Sequence, residues 1–327
     1  MADRERRGSD RSAKDDVGSA TTVIEQSPPS PQRLGPNARR NVIVGLALTL
    51  PALAALTLTL LYPIGWTVWL SLNGNKTALR GAVDFVGFRN YIRIALNPDF
   101  QTALLQTISL TAVSFLLEAI IGLAVALALD RGLRGTKVFR ALVALPLMVA
   151  PVVGALAWRF MFAAGYGLID SVAHVFGQAG PLWFSNIWLA RAAVIIANLW
   201  LALPFDILVL LAGLTNLPEE PLEAARVDGA SPTQILFRIV LPILKPVIAV
   251  ILVIRIADAF RIFDVVYVLT GGGPANKTDV LSTFIYRQMF SAFDFAGGAA
   301  AAVLLVLVTS LVSLIVVVGA RDDWREA

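Results

Sequence analysis

The chain lacks cysteine entirely and has a single histidine, His174, among its 327 residues. Neither a disulfide nor a thiolate metal site can therefore form, and a site built from several histidines is excluded as well. Charged residues are also scarce, at 15%, whereas hydrophobic residues make up 57% and the mean hydropathy is +0.73. A water-soluble domain of this size does not need so much apolar material to form its core. The composition predicts an integral membrane protein without a metal site.

Motifs for nucleotide or zinc chemistry are missing too. The sequence contains neither the phosphate-binding loop G-x-x-x-x-G-K-[ST] nor the zinc-binding pattern H-E-x-x-H. Gly74–Thr77 and Gly271–Pro274 are glycine-containing segments, but neither has the required spacing. We predict that the chain is not an enzyme and binds no cofactor itself. Energy from ATP would have to come from another polypeptide.

Six apolar runs are long enough to cross a bilayer as helices, which takes about 20 residues. They cover residues 42–72, 102–129, 141–163, 192–214, 244–269 and 299–319. We therefore predict an all-α integral membrane protein with six transmembrane helices. Residues 1–40 are rich in charge, serine and proline and have few apolar side chains to bury, so they are predicted to form a disordered tail. Residues 320–327 are predicted to form a second, short tail.

Basic residues are unevenly distributed between the two sides that these helices define. They are concentrated before the first run and in the connections 130–140 and 215–243. The longer connections 73–101, 164–191 and 270–298 hold fewer of them. Loops rich in lysine and arginine stay in the cytoplasm. The pattern predicts that both termini, and with them both tails, are cytoplasmic, as is the 215–243 connection.

The 215–243 connection contains two helix-start signals separated by a glycine. Pro218–Glu220 suits a helix N-terminus, where carboxylates face the positive end of the helix dipole. Ser231–Gln234 has the pattern of a capping box with proline at the first helical position. Gly229 lies between them and suits a left-handed C-terminal cap, so two short helices joined at Gly229 are predicted. The second is expected to present Ile235, Leu236 and Ile239.

The stretch Glu223–Pro242 reads EAARVDGASPTQILFRIVLP. Its spacing resembles the EAA loop of the permease subunits of bacterial ABC importers, which docks into a groove on a cytoplasmic ATPase subunit. The resemblance implies an ATPase-coupling role for Glu223, Ala224, Ala225, Asp228, Gly229, Ile239, Leu241 and Pro242. A loop that only caps two membrane helices is one alternative. A DNA-reading helix-turn-helix is another, but short tethers to membrane spans keep it out of a major groove, so no nucleic-acid partner is expected.

Weaker motifs extend the resemblance over residues 42–319. The segments concerned are Tyr62-Pro63, Phe88–Tyr91, Pro204-Phe205, Leu211–Leu214, Arg261–Asp264 and Tyr267–Pro274. They are similar to segments of carbohydrate importers of the maltose, trehalose and glycerol-phosphate group. This likeness implies a transport core of helices two to six at 102–319. Helix one and the first outer loop, 41–101, would be peripheral to it.

The same resemblance implies a set of partners and a location. A second permease subunit would complete the membrane path. Importers of this group usually pair two unlike permeases, so a non-identical partner is expected. Two cytoplasmic ATPase subunits would carry ATP and Mg²⁺, and an extracytoplasmic solute-binding protein would deliver the solute. The whole complex would lie among lipids in the bacterial cytoplasmic membrane.

Charged residues recur at steps of three within the fifth apolar run, at Arg255, Asp258, Arg261 and Asp264. Each costs roughly 2.5–3.5 kcal/mol inside a membrane, so they must face protein or water. They can pair with one another and with a partner permease, the reading that Arg255 favours, or they can border a translocation cavity. The second alternative predicts a substrate path of Asp258, Arg261, Phe263, Asp264, Tyr267 and Asn198.

Glu118 and Asp206 are two further carboxylates inside apolar runs. We interpret each as a buried contact between helices. If they titrate, the chain is instead an ion-coupled secondary transporter of a polar solute, which is the main alternative function. That alternative leaves the EAA spacing unexplained, and six helices without an internal repeat fit it poorly. The sequence favours a permease subunit of an ATP-driven sugar importer and does not identify the sugar.

Overall fold

The computed structural model describes residues 36–75, 84–132 and 135–320. The chain forms two compact units, divided after Leu58. In the first unit, helix α1 spans Pro36–Leu56, so it begins within the range predicted as a tail. The rest of that tail, and all but the first residue of the C-terminal one, lie outside the described residues.

The second unit is built from helices of very different lengths. These are α2 (Tyr62–Ser71), α3 (Arg89–Ala95), α4 (Pro98–Asp130), α5 (Thr136–Ala144), α6 (Pro151–Met161), α7 (Leu168–Val175), α8 (Ile187–Thr215), α9 (Glu219–Val227), α10 (Pro232–Ile235), α11 (Leu241–Phe260), α12 (Asp264–Leu269), α13 (Leu281–Tyr286) and α14 (Phe295–Ala320). Single turns of π-helix occur at Thr57–Leu61, Leu236–Val240 and Arg287–Ser291, and a 3-10 turn at Leu145–Met148. Across the described residues the only β-structure is an isolated bridge between Asn73 and Phe85. The predicted all-α fold is confirmed.

Five of the described helices are long and apolar enough to cross a membrane. They are Val44–Ser71, Pro98–Asp130, Ile187–Thr215, Pro232–Phe260 and Phe295–Gly319. A sixth crossing exists if the bent pair Thr136–Met148 and Pro151–Met161 counts as one span. The exact number of spans and their orientation remain predictions.

The third predicted span, 141–163, is wrong as a continuous helix. Its two halves, Thr136–Met148 and Pro151–Met161, meet at an angle of 102°. Pro146 lies in the 3-10 turn, and Pro151 starts α6 after Ala150, which is extended. Proline removes a backbone donor and disfavours helical geometry in the residue before it, so two prolines five residues apart break the run.

The fifth predicted span, 244–269, is also interrupted. Helix α11 ends at Phe260, and α12 starts at Asp264 after a short turn. Arg261 and Asp264 therefore do not continue the helix face of Arg255 and Asp258, as the steps of three had predicted. Asp264 instead lies in the first turn of α12, where its carboxylate faces the positive end of a helix dipole.

Three hydrophobic clusters hold the second unit together. One joins α6, α8 and α12, with Phe162 and Val266 at its centre, and a second joins α4, α11, α13 and α14 around Leu281. The third packs α4 and α8 against the start of α11 around Leu244. Here α8 and α11 approach closely at Gly213, where an added Cβ would lie 2.8 Å from a Leu244 methyl group. Helices α4 and α8 thus form the scaffold that positions α11.

A polar network ties the ends of α3 and α14 together. Asp294 accepts hydrogen bonds from Arg93 at 2.7 Å, from Gln288 at 3.0 Å and from the Gly297 backbone at 3.0 Å. Burial raises the pKa of this carboxyl, but the hydrogen bonds from Arg93, Gly297 and Gln288 outweigh it, so the pKa lies below its ordinary value. Asp294 is therefore held as a carboxylate where α14 begins.

Candidate functional site

A cavity of about 620 Å³ opens among α4, α8, α11 and α12. Most of its lining is apolar, but several charged and polar side chains converge on it. These are Thr111, Ser114, Glu118, Asn198, Arg255, Asp258, Arg261 and Asp264. An apolar cavity of this size with a few convergent polar groups is typical of a small-molecule binding site.

A buried ion cluster centred on Arg255 forms part of one wall of the cavity, to which Arg255 and Glu118 contribute. Its Nε donates to Asp206 Oδ1 at 2.8 Å and lies 3.7 Å from Glu118 Oε2, and its Nη2 donates to the Ala202 carbonyl. The side chains of Arg255, Glu118 and Asp206 are only 13%, 4% and 3% exposed. One guanidinium thus joins carboxylates from α4 and α8 to α11. The interpretation of Glu118 and Asp206 as buried contacts between helices is confirmed.

Three other polar side chains of the lining, Asp258, Arg261 and Asn198, have weaker or more exposed contacts within the protein. Asp258 lies 3.8 Å from Arg255 and 3.4 Å from Arg261, and its side chain is 49% exposed. Arg261 is 77% exposed. Asn198 is half-buried and donates to Glu118 at a long 3.4 Å. These side chains keep hydrogen-bonding capacity for a ligand.

The predicted substrate-path residues are largely brought together. Five of the six line the cavity: Asn198, Asp258, Arg261, Phe263 and Asp264. The sixth, Tyr267, does not line it but stacks on Phe263, with ring centroids 5.0 Å apart. Whether these residues contact a substrate stays a prediction.

Sequence reasoning left Glu118 and Arg255 out of the substrate path, although both line the cavity. The signal was available, because both are charged residues within apolar runs. Sequence alone did not show that the ion cluster which satisfies them also forms one wall of an open space.

A second candidate site is the polar segment between α8 and α11. Its Gly229 has φ +78°, the left-handed conformation predicted for it. The predicted capping box is also present: Gln234 N–H donates to Ser231 Oγ, and Ser231 N–H donates to the Gln234 side chain at 2.7 Å. Asp228 is the C-cap of α9, directly before Gly229.

The second of the two predicted short helices is not separate. Helix α10 runs through the π-helical turn Leu236–Val240 into α11, giving one 29-residue helix from Pro232 to Phe260. Ile235 and Leu236 pack against the third hydrophobic cluster, so they are not presented outward as predicted. The apolar side chains that do face outward here are Val227 and Phe237, 87% and 66% exposed.

The predicted coupling residues differ in exposure. Glu223, Ala224, Asp228, Gly229 and Pro242 are exposed, Ile239 and Leu241 are half-buried, and Ala225 is buried. Four of the exposed members lie on α9 or directly after it, and two of these, Glu223 and Asp228, carry carboxylates. Their role in coupling stays a prediction.

Long apolar helices around a cavity with charged walls, joined to the exposed Gly229 turn between α9 and α10, define a multi-pass membrane permease. The profile of the family described as "Binding-protein-dependent transport system inner membrane component" matches residues 118–321. A trehalose/maltose transport system permease protein of Thermococcus litoralis is 37% identical over 281 residues, covering 86% of this chain and 95% of that protein. The chain belongs to this family of inner membrane transport components.

Other relatives agree with that assignment, and one solved structure has a similar fold. A trehalose transport system permease protein of Mycobacterium tuberculosis is 37% identical over 83% of this chain and 86% of its own length. An sn-glycerol-3-phosphate transport system permease protein of Yersinia pestis is 33% identical over 83% and 89%. The fold is similar to a chain in the crystal structure of a bacterial ABC transporter that imports the acidic polysaccharide alginate, with TM-score 0.75, 23% identity and coverage of 88% and 97%.

Arg255→Gln tests the ion cluster, because it leaves Asp206 and Glu118 buried without their cation. We expect a loss of about 3–5 kcal/mol of stability, measured as a lower Tm in detergent and lower abundance in membranes. Arg261→Gln, the same change at an exposed position, should alter stability by no more than about 0.5 kcal/mol.

The double variant Arg255→Gln/Asp206→Asn separates loss of the pair from exposure of an unpaired charge. It should be more stable than Arg255→Gln alone, because one buried carboxylate is neutralised together with its partner. If Arg255→Gln had the same Tm as the unmodified protein, the ion cluster would make no contribution to stability.

Proposed function

We propose that this chain is a permease subunit of an ATP-driven sugar importer. The observation that carries the proposal is one 29-residue helix, Pro232–Phe260, that starts beside the exposed Gly229 turn and ends at the charged cavity. One helix thereby connects the proposed groove-docking turn with the proposed solute path. The relatives named for trehalose, maltose and glycerol-phosphate transport support a small polyhydroxylated solute.

The proposed complex contains this permease, a second permease, two ATPase subunits and an extracytoplasmic binding protein. ATP and Mg²⁺ would be bound by the ATPases and not by this chain. The proposal places both termini and α9 in the cytoplasm, as the distribution of basic residues predicts. Tags fused at residues 10 and 325 should resist external protease in intact cells, and cleavage of either tag without lysis would contradict this orientation.

The proposed solute path is the cavity lined by Asn198, Asp258 and Phe263. Asp258 and Asn198 offer a carboxylate and an amide to sugar hydroxyl groups, and Phe263 offers an apolar ring face. Arg255 is bound by Asp206, Glu118 and a backbone carbonyl, so in this proposal it stabilises the wall of the cavity and does not bind the solute.

Reconstitution into proteoliposomes tests the transport function. Trehalose or maltose uptake and ATP hydrolysis should require the second permease, the ATPase and the binding protein together with this chain. Asp258→Asn should reduce uptake at limiting sugar by about tenfold or more, since losing one charged hydrogen-bond partner costs about 1.5–3 kcal/mol and about 1.4 kcal/mol is a factor of ten. Asp130→Asn, at an exposed carboxylate ending α4, is the control and should transport normally. Sugar-linked ion flux by the isolated chain would favour the secondary-transporter alternative instead.

Gly229 tests the proposed coupling. An added Cβ would meet no atom within 4 Å, so only the positive φ constrains the position. Asparagine tolerates this conformation, whereas β-branched valine adopts it at a cost of about 1–2 kcal/mol or more. Gly229→Val should therefore abolish transport and copurification with the ATPase at normal membrane abundance, and Gly229→Asn should retain most of both. If both variants transported normally, the proposal that the Gly229 turn couples the permease to the ATPase would be wrong.

A further inference from the structure

Four aromatic rings form a connected cluster beside the cavity, with one stacked pair and three tilted or edge-on contacts. Phe263 stacks on Tyr267 with centroids 5.0 Å apart and an interplanar angle of 15°. Tyr286 lies 5.3 Å from Phe263 and 5.0 Å from Tyr267, and Phe290 lies 5.0 Å beyond Tyr286. We name these four residues the aromatic ladder. It combines rings from the start of α12, the end of α13 and the π-helical turn that follows.

The ladder does not serve the hydrophobic core. None of its rings belongs to the three hydrophobic clusters of the described residues. Helix α12 buries Val266 and α13 buries Phe284, while Tyr267 remains 43% exposed and Phe290 59% exposed. The two elements thus supply Val266 and Phe284 to the core, while Tyr267 and Phe290 are exposed and Phe263 and Tyr286 are half-buried.

The ladder is continuous with the cavity through one shared residue. Phe263 lines the cavity and is also the ladder's first ring. Charged residues are adjacent in sequence to two of the rings. Asp264 follows Phe263 and lines the cavity, and Arg287 follows Tyr286 and donates to Asn276 at 2.5 Å and to Asp279. Exposed or half-buried rings beside charged residues match a pyranose, which has apolar C–H faces and a rim of hydroxyl groups.

We propose that the aromatic ladder is a binding track for sugar rings, on which a pyranose stacks at Tyr286 and Phe290 before it reaches the cavity at Phe263. The inference rests on the proposed sugar transport and adds a binding site outside the cavity, at Tyr286 and Phe290, which were not among the substrate-path residues predicted from the sequence. An acyclic polyol has no ring face to stack, so the track discriminates cyclic from acyclic solutes.

A second group of aromatic rings, on α2, serves as a control for the ladder. Tyr62, Trp66 and Trp69 also form an exposed stack, with successive centroids 6.5 and 4.8 Å apart, but all three lie on α2 and none lines the cavity. Such a stack on one apolar helix suits the membrane interface. A ladder that only anchored the protein to lipid should respond to ring removal as this α2 stack does.

Tyr286→Trp gives a direct binding measurement in the purified complex of the permeases and ATPase. The fluorescence of the unmodified complex is subtracted, and the difference is titrated with trehalose, maltose and sn-glycerol-3-phosphate. We expect a saturable change with at least one of the two disaccharides and none with the acyclic phosphate. Adding Phe290→Ala should weaken the apparent affinity about threefold to tenfold, the range for loss of one aromatic contact. Adding Trp66→Ala should leave it unchanged.

Uptake by the reconstituted complex supplies the second readout. Tyr286→Ala and Phe290→Ala should lower uptake at limiting liganded binding protein, while Tyr286→Phe, which keeps the ring, should match the unmodified protein. Loss of membrane abundance or of copurification in the alanine variants would overturn the proposal, because the ladder would then be a lipid anchor or a subunit contact. So would an equal fluorescence response to sn-glycerol-3-phosphate.

The outcomes separate this inference from the proposed function. Normal disaccharide uptake by the unmodified complex, with no fluorescence response and no effect of Phe290→Ala, would reject the ladder and leave sugar transport standing. Failure of the unmodified complex to take up either disaccharide would reject the proposed substrate, and with it the ladder as a track for that substrate.

Discussion

The pairing of Arg255 with Asp206 and Glu118 is the interaction on which the rest of the second unit depends. Each charge would cost several kcal/mol if it were left alone in an apolar environment. The pairing therefore fixes how α4, α8 and α11 are shifted along their axes and rotated about them. Apolar packing alone would not require that one arrangement. Small residues complete the fit, since Gly213 lets α11 approach α8 closely.

This ion cluster also decides which groups remain for a solute. Because Arg255 is occupied by two carboxylates and the Ala202 carbonyl, its charge is neutralised within the protein. Asp258 stays half-exposed at the cavity, and the nearest other cation, Arg261, is mostly in the open. The cavity thus presents hydrogen-bonding groups without a buried, unpaired cation, an arrangement better suited to neutral hydroxyl groups than to a phosphate.

Features that depend on neighbouring residues could be predicted from the sequence more readily than features that depend on residues far apart in the chain. The Gly229 turn and the Ser231 capping box were predictable because they depend on a few neighbouring residues. The break in the third span was predictable from Pro146 and Pro151 but was missed. The break after Phe260 has no glycine or proline to mark it. The ladder, which joins α12 to rings about twenty residues later, depends on tertiary packing that no local pattern contains.

The continuity of α10 with α11 has a mechanical consequence. A helix of 29 residues is about 43 Å long, so a displacement at Ser231 reaches the cavity end without a hinge in a loop. Near that end Arg255 is tied to α4 and α8, which resist its movement. Force applied at the exposed Gly229 turn would therefore rotate the three helices together or deform the helix at the π-helical turn Leu236–Val240. The first response would carry the displacement to the cavity end of α11, whereas the second would absorb it, so the proposed coupling requires the ion cluster to remain intact while α11 moves.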